Sequence, residues 1–304
     1  MTELAPGLLD VGVLVAALLV DRFVGEWPAR AHPVCWMGSV IRRLERRAPA
    51  GNTGAFLWGL GMAVGLPLAW GGLAWATLQV PVVAPLVALY WLKSAFALRL
   101  LGEAGMGVAT PLSRGDLAGA REGLRSLCSR DPSALDGAQL AAGTVESLAE
   151  NLSDSFVAPL FWWVVAGVPG AVAYRAINTA DAMIGYHGRY EWLGKAAARV
   201  DDAANVVPAR LTAVLLLLAG IGRADVRGGL RALLADRRRT ESPNAGWPMA
   251  TMAGLLGVVL AKPGHYALGE GGRLPAGADV DAAWALCTVG AAGWVLLVCG
   301  WLVV

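Results

Sequence analysis

The sequence predicts an all-α, multi-pass integral membrane protein, and its composition and long apolar runs carry that prediction. Of its 304 residues, 56% are apolar and only 16% are charged, and the mean hydropathy is +0.54. A soluble domain usually has about a quarter of its residues charged. Several runs reach the roughly 20 apolar residues that a helix needs to cross a hydrocarbon core of about 30 Å. The bilayer is therefore expected to be part of this protein's solvent.

The same composition argues against several other classes. A net charge of +2 does not predict a nucleic-acid partner, and the four cysteines include no CxxC pair that would predict a zinc site or a disulfide framework. No basic segment precedes the first apolar run, so a cleaved signal peptide is not predicted. The sequence also lacks a P-loop, so any nucleotide must be held in another way.

The apolar runs predict the spans in order along the chain. Leu4–Val24 is expected to be the first span, and residues 48–92, which carry no charge, have room for two spans with a turn near Gln79. Between the spans, residues 114–130 predict a polar helix that starts at Asp116. Later runs of spanning length are Ser155–Tyr174, Ser242–Ala261 and Ala282–Val304.

The basic residues predict the topology through the positive-inside rule. Lysine and arginine concentrate in four segments, which are expected to be cytoplasmic, with the N-terminus outside. Ser155–Tyr174 joins two of these segments, and its centre, Gly167–Gly170, contains a proline, so a re-entrant hairpin is expected there. The 12 apolar residues of 211–222 reach only about 18 Å, so that run is expected to be re-entrant or interfacial.

These predictions amount to one polytopic membrane domain, 1–304, with re-entrant or broken helices and with cytoplasmic loops that form a site. No internal repeat is visible, and the polar segments are too short to bury a core of their own. The polar cytoplasmic segments are expected at about 22–47, 99–154, 175–210 and 223–241.

Three acid-amide clusters lie within one stretch of the chain. Residues three or four apart share a helix face, and carboxylates near lipid are costly unless they are neutralised. A divalent cation such as Mg²⁺ would neutralise them, because hard cations prefer carboxylate and amide oxygens. The alternative is that these residues cap helices in water. The pairs are Asn151 with Asp154, Asn178 with Asp181, and Asp202 with Asn205, and Asp201 lies beside the last pair.

Basic residues accompany the acid-amide clusters. Arg175, Arg199 and Arg210 lie within a few residues of them, and arginine binds phosphate or carboxylate through two parallel bonds. The alternatives are salt bridges to the neighbouring acids or, for Arg210, an anchor at the end of an apolar run. His32, fixed in an extended or turn conformation by Pro33, is a candidate ligand contact at the membrane surface, and a structural role is the alternative.

Five strings in the sequence resemble the adenosylcobinamide-phosphate synthase (CobD/CbiB) family of cobalamin biosynthesis, and they occur in that family's order. The resemblance implies an integral enzyme of the bacterial inner membrane with its site facing the cytoplasm. It implies ATP-dependent amide formation between adenosylcobyric acid, a corrinoid, and 1-amino-2-propanol or its phosphate, with Mg²⁺ accompanying the ATP. The strings are HPVCWMG, ESLAENLSDS, YRAINTADAMIGYH, ARVDDAANVVPARL and ESPNAGWP.

The implied chemistry assigns a role to each candidate residue. Glu150 is the candidate base for the amine, and Asp154, Asp181 and Asp202 are expected to hold Mg²⁺ and phosphates, the first two as catalytic residues. His187 stands where the family often has lysine, so its phosphate contact is expected to differ. The remaining substrate-binding candidates are His32, Asn151, Arg175, Asn178, Arg199, Asn205 and Arg210.

Three other functions compete with this one. Intramembrane prenyltransferases also bind Mg-diphosphate through acidic helices, but they usually show DxxxD spacing instead of NxxD. An AmpE-like sensor would bind a ligand without turnover. A corrinoid transporter would be expected to show an inverted repeat, which is not visible here.

Overall fold

The computed structural model describes residues 6–127 and 131–303, which are mainly helical with very little strand. Its helices are α1 (Pro6–Phe23), α2 (Pro33–Glu45), α3 (Asn52–Thr77), α4 (Ala84–Ala95), α5 (Leu98–Ser113), α6 (Leu117–Leu124), α7 (Gly137–Leu152), α8 (Ala158–Ile184), α9 (Lys195–Ala219), α10 (Val226–Asp236), α11 (Gly246–Leu256) and α12 (Gly277–Val303). A 3₁₀ turn (Ala29–Ala31) precedes α2, and a π turn (Ser153–Val157) joins α7 to α8. One small antiparallel hairpin, β1 (Leu260–Lys262) with β2 (Tyr266–Leu268), was not predicted.

Five helical segments of the described chain are long and apolar enough to cross a membrane, which confirms an all-α multi-pass membrane protein. Large apolar side chains on them remain exposed, such as Leu68 on α3 and Leu296 on α12, at 70% and 73%. Lipid is the solvent that suits such surfaces. The predicted first span forms α1, which is not among the five, and Leu4 lies outside the described residues. The segments are Asn52–Thr77, Ala84–Ser113, Gly137–Ile184, Lys195–Ala219 and Gly277–Val303.

Two of the predicted segments are wrong. Ser242–Ala261 does not form a span, because α11 has only 11 residues, which rise about 16 Å, and β1 begins at Leu260. Residues 211–222 are not a separate short segment either. They include the last part of the 25-residue α9, whose rise of about 37 Å is enough to cross the core. The polar residues before Leu211 stay helical, so the apolar run alone underestimated this helix.

Other local predictions are confirmed. The chain turns between α3 and α4, near Gln79. The helical path of α8 breaks at Ala166 and Gly167, and Gly167 has φ of 65° and ψ of −167°. Glycine tolerates that conformation and Pro169 follows it, as the sequence of this segment predicts. Asp116 caps α6 by accepting a hydrogen bond from the Gly119 amide at 2.9 Å, although α6 ends at Leu124, earlier than expected. Re-entrance of α8 stays a prediction.

The chain divides into two compact units, and the expectation of a single domain stays a prediction. Unit 1 comprises residues 6–97, 158–205 and 298–303, and α3 packs on α8 in its core. Unit 2 comprises residues 98–157 and 206–297, with the exception of the undescribed 128–130. In unit 2, α10 packs on α11, and α5, α6 and α7 pack around Val108, Leu124 and Leu140.

Candidate functional site

A network of hydrogen bonds joins α8 to α9 in unit 1. The buried Tyr174 hydroxyl donates to Oδ1 of Asn205 at 2.9 Å, and Nδ2 of Asn205 donates to Oδ2 of Asp201 at 2.9 Å. From α8, Nδ2 of Asn178 donates to the other oxygen of Asp201 at 3.4 Å. Asp201 therefore accepts from an amide on each of the two helices, and its carboxylate is the centre of the network.

Arg175 determines how the side-chain amide of Asn178 is oriented in the network. Its Nη1 donates to Oδ1 of Asn178 at 3.2 Å. A guanidinium can only donate, so the amide oxygen of Asn178 must face Arg175 and its NH₂ must face Asp201. The i, i+4 spacing of Tyr174 and Asn178 on α8, and of Asp201 and Asn205 on α9, puts each pair on one face of its helix. The structure thus brings together three predicted residues, Arg175, Asn178 and Asn205.

Asp181 lies one turn beyond Asn178 and differs from its neighbours. It is half-buried, and its carboxylate makes no hydrogen bond or ion pair with any residue that the structure describes. It is close enough to Asp201 and Asp202 for the three charges to repel one another. Asp202 forms an ion pair with Arg199 at 3.4 Å, but that arginine side chain is largely exposed, so the pair is screened by solvent. Negative charge on this face is therefore only partly compensated.

The donors on this face suit Mg²⁺ chemically. Carboxylate and amide oxygens are hard ligands, and Mg²⁺ usually takes one or two carboxylates and shares the oxygens of a substrate phosphate. Among the described residues no group of three or more His, Cys, Asp or Glu side chains is placed to hold a metal ion. A protein cage is thus absent from the described residues, and the fit is to a cation held jointly with phosphate. The assignment of Asp181 and Asp202 to Mg²⁺ stays a prediction.

A second charged cluster in unit 1 surrounds Lys93. This side chain is fully buried, and its Nζ lies 2.7 Å from Oε1 of Glu26 and 3.1 Å from Oδ1 of Asp21. His32, the histidine predicted to contact a ligand, lies 2.9 Å from Glu26 and accepts from the Val34 amide as the cap of α2. Burial opposes the ionisation of Glu26, but hydrogen bonds from His32 and Lys93 outweigh burial and lower the pKa of Glu26. Here both carboxylates contact the same buried cation.

The first acid-amide cluster belongs to unit 2. Glu150 and Asn151 are half-buried on α7, and Nδ2 of Asn151 donates to the Ser147 carbonyl at 2.9 Å. Asp154 lies in the π turn that follows α7. Such turns occur frequently at functional sites. Glu146, on the same helix, is buried.

The last two predicted residues lie in different settings. His187 is exposed and lies 2.7 Å from Oε2 of Glu191, and this hydrogen bond lowers the pKa of Glu191. Arg210, in unit 2, donates to Oδ1 of Asn244 at 2.8 Å, and its guanidinium lies 4.4 Å from the ring centre of Trp247. Its contacts in the structure are thus with the ESPNAGWP segment.

Comparison with known proteins shows the family to which the chain belongs. The sequence model of the family described as "CobD/Cbib protein" matches residues 14–289. The chain belongs to the CobD/Cbib family. It is 43% identical over 265 residues to the cobalamin biosynthesis protein CobD of Dehalococcoides mccartyi, covering 85% of this chain and 86% of that protein. It is 41% identical over 306 residues to the CobD of Stutzerimonas stutzeri, covering 95% and 97%. No solved structure matches.

Membership of the CobD/Cbib family places the chain in cobalamin biosynthesis. The family match spans both clusters of unit 1 and all five resemblance strings. Three residues of these clusters were missed as site candidates. Asp201 was noted for its i, i+4 spacing to Asn205, but no role was assigned to it. Tyr174 gave no signal beyond its place before Arg175. Lys93 is the only charged residue between Arg47 and Arg99, and that isolation was its signal.

Proposed function

We propose that this member of the CobD/Cbib family is an ATP-dependent ligase that joins 1-amino-2-propanol, or its O-phosphate, to the propionate carboxylate of adenosylcobyric acid. The observation that supports it best is Asp181, a half-buried carboxylate without a hydrogen-bond partner among the described residues, beside Asp201 and Asp202. A site with such uncompensated negative charge suits a cation that arrives with a nucleotide.

The proposed reaction needs activation, because a carboxylate has no good leaving group. A carboxylate oxygen of the corrinoid attacks the γ-phosphorus of ATP, and ADP leaves. The amine then attacks the acyl carbon, phosphate leaves, and the amine proton passes to a base. When bound, Mg²⁺ would supply neutralisation of the phosphate charges. Phosphoryl transfer is catalysed mainly by such positioning and charge neutralisation.

Each candidate residue of the chain has a proposed role in this reaction. Asp181 and Asp202 would hold the cation, and Asn178 and Asn205 would keep Asp201 in place through the hydrogen bonds described above. Arg175 and Arg199 would bind phosphate or a corrinoid carboxylate. Glu150, with Asp154 and Asn151, stays our candidate for the amine's base, and His32 and His187 remain candidate substrate contacts.

A turnover assay tests the proposal. The full-length protein in detergent would receive adenosylcobyric acid, aminopropanol phosphate or aminopropanol, ATP and Mg²⁺, and product mass would be read by mass spectrometry. We expect a mass gain of one amide-linked arm that requires ATP. Corrinoid binding without product would refute the ligase and favour a sensor or transporter. Transfer of a prenyl group from prenyl diphosphate would instead establish the prenyltransferase.

We also propose that the protein lies in the bacterial inner membrane with its site facing the cytoplasm. The basic residues that flank the spans support this orientation. Cys35 is exposed at the start of α2, inside the first basic segment, and it offers a test. In a variant whose other cysteines are serine, a membrane-impermeant maleimide should label Cys35 only after the cells are opened. Labelling of intact cells would reverse the orientation.

A further inference from the structure

Two arginines of unit 2 share one tryptophan. The guanidinium carbon of Arg210 lies 4.4 Å from the ring centre of Trp247, and that of Arg237 lies 5.3 Å from the same centre. All three side chains are half-buried. Stacking on an indole ring favours each cation, but two cations on one ring repel each other. Solvent screens this repulsion in part, and a bound anion would compensate both charges.

No carboxylate among the described residues compensates it. Neither Arg210 nor Arg237 forms an ion pair within the described chain, whereas the neighbouring Arg239 pairs with both Asp236 and Glu270. The present partners are neutral oxygens: Asn244 and the Val206 carbonyl for Arg210, and the Leu234 carbonyl for Arg237. Each of these bonds uses Nη1. The Nε and Nη2 groups of both arginines thus remain as donors.

Backbone groups add to the positive field at this point. The segment before α11 ends at Ala245, which caps α11 without any side-chain hydrogen bond. Trp247 lies in the first turn of this 11-residue helix, where amide groups and the helix dipole favour an anion. Arg237 caps the C-terminus of α10, where a cation is favourable, but that position does not by itself require its guanidinium to lie against Trp247.

The local fold is built to keep these groups together. A Cβ on Gly246 would overlap the Arg237 carbonyl oxygen, so only glycine lets the start of α11 approach the end of α10 this closely. Asn244 is 5% exposed, and its side chain orients Arg210 through the 2.8 Å hydrogen bond. The backbone amide of Asn244 in turn donates to the Ser242 hydroxyl. The ESPNAGWP segment thus positions both arginines.

We propose that Arg210, Arg237 and Trp247 form a binding site for a phosphate group. Two guanidinium groups with remaining donors can bind the several oxygens of a phosphate, whereas a carboxylate offers only two oxygens. A phosphate also carries enough negative charge to compensate both arginines. The phosphate belongs to a soluble phosphate ester or to an anionic lipid headgroup. Arg210 is also a candidate substrate contact, but this inference does not depend on the ligase reaction proposed above, since it rests on the pairing of Arg210 with Arg237 and Trp247.

Calorimetric titration of the full-length, delipidated protein in detergent with inorganic pyrophosphate tests the site. EDTA in the buffer prevents Mg²⁺-dependent phosphate binding elsewhere from contributing. We expect Arg210→Gln and Arg237→Gln each to weaken pyrophosphate binding by about tenfold or more, the usual consequence of losing a charge-assisted hydrogen bond. Arg238→Gln is the matched control, because Arg238 is exposed and adjacent, and its binding should be unchanged.

The outcomes separate the site from non-specific attraction. Equal weakening in Arg238→Gln, or none in the other two variants, would overturn the proposal, as would a wild-type protein that binds neither pyrophosphate nor phosphatidylglycerol. Thermal denaturation shows whether each variant is folded. Where a glutamine variant does not fold, Arg210→Lys and Arg237→Lys replace it. They keep the charge but lose the planar fork, so binding should still weaken several-fold.

Competition identifies the source of the phosphate. Displacement of pyrophosphate by ATP or aminopropanol phosphate would assign the site to a soluble ester. Displacement by phosphatidylglycerol, but not by phosphatidylcholine, in nanodiscs would assign it to lipid. Arginine-dependent binding in a protein that forms no amide product would support this site and refute the ligase, whereas product formation with arginine-independent binding would do the reverse.

Discussion

Two charged clusters of unit 1 differ in the groups that contact their carboxylates. Around Lys93, one buried ammonium faces Asp21 and Glu26 at 3.1 and 2.7 Å, and His32 bonds to the second carboxylate. On the face shared by α8 and α9, three carboxylates repel one another, and their neighbours are mainly neutral amides. In the first cluster both carboxylates contact a buried cation, whereas in the second the Asp181 carboxylate contacts no cation among the described residues.

This difference distinguishes charged residues that stabilise the fold from charged residues that can bind a ligand. A cluster whose carboxylates contact a buried cation fixes the chain, here the segment between α1 and α2 against α4. A cluster of carboxylates held by amides keeps its negative charge, which lowers the stability of the protein and favours a cation. Removing one charge should therefore have effects of opposite sign on stability in the two places.

The largest expected effect is on stability, from Lys93→Met. The substitution leaves two carboxylates near each other without their buried cation, which typically destabilises a protein by about 3–5 kcal/mol. Reversible denaturation in mixed micelles measures the free energy of unfolding. Lys195→Met, the same change at an exposed lysine that loses only its contact with the Trp192 ring, should cost no more than about 1 kcal/mol. Equal values for the two variants would show that the Lys93 cluster is not structural.

Asp181→Asn should separate stability from activity. We expect turnover to fall by about 100-fold or more, equivalent to about 2.7 kcal/mol, because a cation-binding charge is lost. Stability should be unchanged or higher, since repulsion with Asp201 and Asp202 is removed. The turnover assay and the same unfolding measurement provide both values, with Asp281→Asn on exposed surface as control. Lower stability with normal turnover would reverse the roles of the two clusters.

Tyr174→Phe tests how firmly the amides are held. It deletes the hydroxyl that donates to the buried Oδ1 of Asn205, and an unsatisfied buried acceptor costs about 1–3 kcal/mol. Unfolding of this variant is compared with that of Tyr186→Phe, whose hydroxyl makes no hydrogen bond to a described residue and whose ring is largely exposed. A loss of stability no greater than in Tyr186→Phe would mean that Asn205 is oriented by Asp201 alone.

The smallest expected effect is on the pH dependence of stability, through Glu26. Its pKa is lowered in the folded state, so its contribution is present above the ordinary value of 4.5 and is lost as the pH falls through the lower folded value. Wild-type stability should therefore decline between about pH 5 and pH 3, and the decline should be shallower in Glu26→Gln. Denaturation midpoints across this range measure both slopes, and identical slopes would contradict the assigned ion pairs.

The sequence by itself determined the fold class, most of the spans, the helix break at Gly167 and the segments that contain the candidate residues. Apolar runs of spanning length and helix breakers act locally, so they can be read without the fold. The i, i+3 and i, i+4 spacings also predicted that Asn178 with Asp181, and Asp202 with Asn205, would share helix faces, because helical periodicity is local too.

Only the tertiary structure decided which of these faces meet and how each charge is compensated. Asp201, Tyr174 and Lys93 acquire their roles from partners on other helices, and Lys93 bonds to a residue 67 positions away. The length of α9 was likewise not predicted from its apolar run, because the polar residues before Leu211 continue the same helix. Charge compensation depends on distance in space, and sequence spacing gives that distance only within a helix.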